Sequence, residues 1–192
     1  MISLGEAFQE LLAQLDRFEI RYLIGGSVAS SSYGMPRQTN DIDILADFRG
    51  VDIHALCQML SGDFYLDPEA VLSAVQTGRP FNVIHAKGIF KFDFFPAADH
   101  EFALSELNRR RFVVSMVPGL QDIEFPIASA EDTLLAKLVW FRKGGESSEQ
   151  QWRDIQGVAR VQSVHLDLTY LEKWAIKLGV LELLERAMVD AK

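Results

Sequence analysis

Residues 22–45 read YLIGGSVASSSYGMPRQTNDIDIL, from Tyr22 to Leu45, and this stretch decides the fold. In its last part, Asp41-Ile42-Asp43-Ile44, acid alternates with isoleucine. Residues two apart on a strand share a face, so both carboxylates point one way and both isoleucines the other. Two like charges on one surface are unfavourable unless one is protonated or a cation sits between them, and a hard divalent ion such as Mg2+ suits oxygen ligands best. Upstream, Tyr22-Leu23-Ile24 reads as a short apolar strand and Gly25-Gly26 as a tight turn with close backbone approach. Ser27 to Tyr33 opens a helix whose free amides would attract phosphate.

The order Ile24-Gly25-Gly26-Ser27, thirteen intervening residues, then Asp41-Ile42-Asp43 resembles the DNA polymerase beta-like nucleotidyltransferase superfamily. Its signature is a hydrophobic residue, Gly-Gly or Gly-Ser, a spacer, and Asp-x-Asp. Without that resemblance, the same residues make a glycine turn followed by a strand with a wet acidic face. The resemblance implies nucleotidyl transfer, in which an acceptor hydroxyl attacks the α-phosphate of a nucleoside triphosphate and pyrophosphate leaves. It implies two Mg2+ ions, with Mn2+ as a substitute, bridged by Asp41 and Asp43. Gly25, Gly26 and Ser27 would hold the triphosphate, and Arg37 and Thr39 would contact nucleotide or acceptor. A third carboxylate is expected on a later strand. Asp93 fits, within Ile89-Phe90-Lys91-Phe92-Asp93-Phe94-Phe95, where an ionised group is costly unless paired or metal-bound. An Asp on an exposed edge is the plainer alternative.

Composition narrows the classes. The chain has 192 residues, 48% hydrophobic and 24% charged, enough for one sizeable core or a domain with a helical annex. A net charge of −8 argues against a protein that coats nucleic acid, though a local basic patch could still hold RNA. One cysteine, Cys57, precludes an intrachain disulfide. With no signal-like segment and no apolar run of spanning length, a cytoplasmic, membrane-free protein is expected. His54, His85, His100 and His165 are too scattered to suggest a zinc site.

In chain order, Ser3 and Glu6 form a capping-box pattern before a helix apolar at Leu4, Phe8, Leu11, Leu12, Leu15 and Phe18. Val51 to Leu60 reads as a crossover helix on the sheet, and Asp67-Pro68-Glu69 opens a short helix stopped by Gly78-Arg79-Pro80. Strands are expected at Phe81–His85, Ile89–Phe95, Phe112–Val117 and Ile123–Ile127. Between them, His100 to Arg110 reads as a helix, and the triplet Arg109-Arg110-Arg111 is either solvated or a grip for phosphates.

From Ser129 the pattern is all helical. Ser129-Ala130-Glu131-Asp132 is a second capping box, and Lys137 lies on the border of an apolar stripe. A helix near Ser148 carries Arg153-Asp154-Ile155. This order looks like the later motifs of AbiEii-type nucleotidyltransferases, which include toxins of toxin-antitoxin systems. It implies that Lys137 is catalytic and binds nucleotide, that Arg153 and Asp154 contribute, and that a cognate antitoxin or toxin is a possible partner. Read without the resemblance, these are a snorkelling lysine and an exposed Arg-Asp pair. The expected architecture is α/β (α+β): a mixed sheet flanked by helices over residues 1–128 and a C-terminal helical annex over 129–192. The expected acceptor is a hydroxyl of RNA, such as tRNA, or of protein. The competing readings are an antibiotic-modifying transferase and a non-catalytic binder of nucleotide or a partner.

Overall fold

The computed structural model describes residues 2–39 and 41–191. Local sequence sets most element boundaries. Helix α1 (Leu4–Arg17) opens on the capping box at Ser3: the Ser3 N–H donates to the Glu6 carboxylate at 2.7 Å and the Glu6 N–H donates to the Ser3 hydroxyl. β1 (Arg21–Ile24), α2 (Gly26–Tyr33) and β2 (Asp41–Asp47) follow. α3 (Ile53–Leu60) starts later than the apolar pattern at Val51 suggests, because the Asp52 carboxylate accepts from the Ala55 N–H at 3.0 Å and caps the helix there.

β3 (Phe64–Tyr65) is too short to leave a periodic pattern. α4 (Pro68–Thr77) has Asp67 as its cap and ends on left-handed Gly78, as its sequence indicates. β4 (Phe81–His85) leads to β5 (Lys91–Pro96), which starts two residues after the expected Ile89. Ile89 instead sits in the connecting turn with a left-handed φ of 56°. Then come α5 (Glu101–Arg109), β6 (Arg111–Val114) and β7 (Glu124–Ile127), with β6 stopping short of Val117. The remainder is α6 (Ala130–Lys143), α7 (Glu149–Gln162), α8 (Leu168–Leu178) and α9 (Leu181–Asp190). No helix among the described residues is long and apolar enough to cross a membrane.

Among the described residues seven strands form one mixed sheet in the order β3-β4-β5-β2-β1-β7-β6. β2 pairs with β5 and β1 with β7 in parallel, and the other pairings are antiparallel. On β2 and β5 the even-numbered residues Ile42, Ile44, Phe92 and Phe94 are fully buried. Phe92 stacks on Phe8 of α1 and Phe94 on Phe81. That apolar face commits the odd-numbered residues, acids included, to the opposite side of the sheet.

A first apolar cluster runs through the chain as far as Ala128, and a second joins Leu134, Leu138, Ile155, Val158, Leu171, Trp174 and Leu184 of α6 to α9. Tyr33 of α2 packs on both. A polar knot ties them further. Fully buried Asp132 accepts from the Ser129 hydroxyl at 2.8 Å, the Tyr170 hydroxyl at 2.6 Å and Arg109 Nε at 3.3 Å. Arg109 Nη2 also donates to Glu131 at 3.1 Å, and its guanidinium lies 3.8 Å from the Tyr170 ring centre. Neither expectation for the basic triplet, solvated run or phosphate grip, describes Arg109, which is spent inside the protein, and Arg110 Nη1 donates to the Leu107 carbonyl.

Arg109→Ala should therefore destabilise the fold by about 3 kcal/mol in chemical denaturation, because it strands two buried acids. Arg111→Ala, on an exposed position, should change stability by no more than about 0.5 kcal/mol.

Candidate active site

The turn from β1 into α2 lies against β2. The Gly25 N–H donates to the Asp43 carbonyl at 2.9 Å. Gly26 takes a left-handed φ of 54°, and a Cβ there would overlap the Asp43 carboxylate, so both backbone and space demand glycine. No side chain caps α2, which leaves its first amides available to an anion. The Ser27 hydroxyl meets Thr39 Oγ1 at 2.7 Å, and Thr39 donates to the Asp41 carbonyl at 3.0 Å, tying the glycine turn to the acidic strand. At the other end of α2, Gly34 lets α7 approach until a Cβ would strike the Val158 nitrogen. α7 is thereby held over the cleft.

The register of β2 against β5 pairs Asp43 with Asp93 and Asp41 with Lys91. In parallel pairing, directly opposed residues share a face, so Asp41, Asp43, Lys91 and Asp93 stand together. Lys91 was not anticipated from the sequence. Its Nζ lies 2.8 Å from Asp93 Oδ2 and 3.9 Å from Asp41 Oδ1. Burial, and next the Asp93 charge, push the Asp43 carboxyl above the usual range, with Lys137 and Lys91 offsetting part of the effect. No three His, Cys, Asp or Glu side chains among the described residues are gathered as tightly as an ion requires. The ammonium of Lys91 draws Asp93 and Asp41 to itself, and mutual repulsion resists closer approach. The donor set is anionic, hard and all oxygen, which suits Mg2+ or Mn2+ and not zinc or copper.

Helices α6 and α7 supply the facing wall. Lys137 is not a free cation reaching for ligand: its Nζ donates to Asp154 Oδ2 at 2.8 Å. Arg37 reaches the same carboxylate through Nε at 3.4 Å and Nη2 at 3.2 Å, and Gln150 Nε2 does so at 2.9 Å. Burial alone would raise the Asp154 carboxyl, but Lys137, Arg37 and Gln150 outweigh it and hold the group below its ordinary range. Arg153 is not brought to this cleft. Its side chain, 66% exposed, lies 3.5 Å from Glu149 on the outer surface of α7. Adjacent residues on a helix point about 100° apart, so the Arg-Asp pair splits.

Asp41, Asp43, Asp93, Gly25, Gly26, Ser27, Arg37, Thr39, Lys137 and Asp154 all line one cleft of about 640 Å³. Past the acids the lining continues along the strands to Leu45 and Phe95, and it also includes Leu23, Glu106, Thr133 and Trp140. Leu45 and Phe95 lie two residues beyond Asp43 and Asp93, hence on the same sheet face. Phe95 meets Trp140 edge to face at 5.7 Å between ring centres. Alternation from Asp93 could have revealed Lys91, but no local pattern marks Glu106, whose position depends on α5 lying over β1 and β2.

Compared by sequence, the chain matches no known protein-family model and no curated protein. Compared by structure, it is similar to the lincosamide antibiotic adenylyltransferase LnuA, crystallised with lincomycin bound. The TM-score is 0.52 at 15% identity over 83% of this chain and 98% of that one. It is also similar to an antigenic nucleotidyltransferase-like protein from Paracoccidioides brasiliensis, with a TM-score of 0.54 at 17% identity over 98% and 94% of the two chains. The architecture, a mixed sheet flanked by helices with an acid-bearing face opposite an uncapped glycine turn, is the nucleotidyltransferase fold.

Proposed function

We propose that this chain is a metal-dependent nucleotidyltransferase that moves a nucleoside monophosphate from a nucleoside triphosphate to an acceptor hydroxyl. The observation that carries this is the β2–β5 register, which sets three carboxylates on one face beside an uncapped glycine turn. Asp41, Asp43 and Asp93 would hold divalent ions, which when bound polarise the α-phosphate and acidify the acceptor hydroxyl. The Gly26 and Ser27 amides bind the triphosphate tail at the start of α2. Lys137 and Arg37, now shared by Asp154, turn from that carboxylate to phosphate oxygens, and Asp154 keeps both cations aimed at the cleft until then. Asp93, the acid on β5, accepts the acceptor's proton.

A cleft of about 640 Å³ matches a small acceptor better than RNA or protein. Arg109, the first residue of the basic triplet, is tied inward, Arg153 lies outside the cleft, and the chain carries a net charge of −8. An antibiotic-like alcohol is therefore preferred to the tRNA or protein hydroxyl of a toxin-antitoxin system. Incubation with each α-labelled triphosphate, Mg2+, and separate pools of cellular RNA, protein and small alcohols should label the small alcohols. Absence of label with every triphosphate would replace this reading with a non-catalytic nucleotide binder.

Two substitutions separate site from scaffold. Asp43→Asn should lower turnover by about a hundredfold or more. It should also raise the melting temperature of the metal-free protein, because it removes a buried charge crowded by Asp93 and Asp41. A lower melting temperature with full turnover would contradict both expectations. Lys137→Ala should weaken triphosphate binding strongly and destabilise the protein by about 1–3 kcal/mol, since Asp154 retains Arg37 and Gln150 but loses its shortest partner. Lys143→Ala, removing a cation 4.8 Å from the Trp140 ring, should leave triphosphate binding within about twofold. Equal kinetic effects at both lysines would reduce Lys137 to general positive potential.

A further inference from the structure

Glu106 is the one acid lining the cleft that the transfer chemistry does not use. It is only 8% exposed and lines the cleft together with the apolar Leu23, Leu45 and Phe95. Among the described residues neither a cation nor a hydrogen-bond donor offsets its charge: burial acts on it first and the charge of Asp132 second, and both hold its carboxyl well above the ordinary range. Asp132 gives it no relief, being saturated by Ser129, Tyr170 and Arg109. On the same lining, the buried Thr133 hydroxyl and the Gln151 side-chain oxygen also lack hydrogen-bond partners among the described residues. Most buried polar groups in folded proteins are satisfied, so a buried carboxyl with no hydrogen bond among the described residues, together with the orphaned Thr133 and Gln151 oxygens on the same lining, indicates a ligand that supplies partners.

The surroundings specify that ligand. The floor is Leu23 and Leu45, opposed across β1 and β2, and the side is the Phe95–Trp140 pair. A saturated ring or short aliphatic body fits against these surfaces. One two-residue step along a strand is about 6.6 Å, so a ring-sized molecule resting on Leu45 and Phe95 can extend a substituent back towards Asp93 while meeting Glu106 with another. A carboxylate buried without a partner is costly, and an amine that becomes an ammonium beside it removes that cost through a charge-assisted hydrogen bond. A nucleic acid backbone would bring phosphates towards the same uncompensated acid.

We propose that the Leu45–Phe95 part of the cleft is the acceptor subsite, and that Glu106, supported by Thr133, selects a small amine-bearing alcohol whose hydroxyl is directed at Asp93. The role as acceptor rests on the transferase reading above; the amine selectivity does not. Glu106 is thus a specificity-determining residue.

A matched pair of probes tests this: trans-2-aminocyclohexanol and trans-cyclohexane-1,2-diol, which differ in one amine. Their binding to the full chain is measured by ligand-observed NMR without nucleotide, and their labelling is measured with Mg2+ and each α-labelled triphosphate. The wild type should prefer the amino alcohol by about tenfold or more in both assays, and Glu106→Gln should bring the two probes within about twofold. Because a carboxyl whose folded pKa is raised contributes stability at low pH that is lost as pH rises, Glu106→Gln should be at least as stable as wild type at neutral pH. That separates loss of preference from loss of fold. Failure of the wild type to bind the amino alcohol, equal binding of the two probes, or a preference kept in Glu106→Gln would overturn the subsite. Amine preference in binding with no labelling by any triphosphate would sustain the subsite and sink the transferase reading instead.

Discussion

The pairing of β2 with β5 in parallel, with Asp43 opposite Asp93, is the constraint on which the rest of the molecule depends. A sheet has two faces, and the Ile42, Ile44, Phe92 and Phe94 side chains fill one so completely that a one-residue slip would drive carboxylates into the apolar core. The aromatic stack from Phe8 through Phe92, and from Phe94 to Phe81, therefore fixes the acids as firmly as it fixes the core. Crowding those acids costs stability, and Lys91 offsets part of that cost from within the same face. Gly26 is a consequence of the same crowding: its missing side chain is the space the Asp43 carboxylate occupies.

Across the cleft the logic is repeated with opposite sign. Lys137 and Arg37 would repel one another without ligand, and Asp154 holds both. The two walls thus each carry an internal counter-ion, Lys91 on the sheet and Asp154 on α7. A metal-bound triphosphate would replace both internal pairings at once, bringing positive charge to the acids and negative charge to the bases. The Asp132 knot keeps α5, α6 and α8 together, so the wall that carries Lys137 also fixes the helix that carries Glu106.

Much of this is legible in the sequence alone. The alternation in Asp41-Ile42-Asp43-Ile44 gives the face of each acid, and the Ser3, Asp67 and Ser129 caps mark helix starts that the backbone adopts. These are local signals, generated by interactions within a few residues. What stayed hidden depends on distance in sequence. The ion pair of Asp154 with Arg37 spans 117 residues, and the inward turn of Arg109 depends on acids 22 and 23 residues away. Arg153 and Asp154 are neighbours in sequence but not in direction, and only packing decides which one faces the cleft. Glu106 shows the same limit most clearly, since a glutamate in a mixed polar and apolar helix reads as solvated until the sheet beneath it is known.

The most direct measurement is diffraction at the manganese absorption edge from crystals grown with Mn2+ and a non-hydrolysable nucleoside triphosphate. Anomalous density should lie among Asp41, Asp43 and Asp93, with the Lys91 ammonium displaced from Asp93, the phosphates on the Gly26–Ser27 turn, and Lys137 moved from Asp154 to a phosphate oxygen. Manganese bound elsewhere on the chain, or none at the acids while Lys91 still bridges Asp93 and Asp41, would contradict the account.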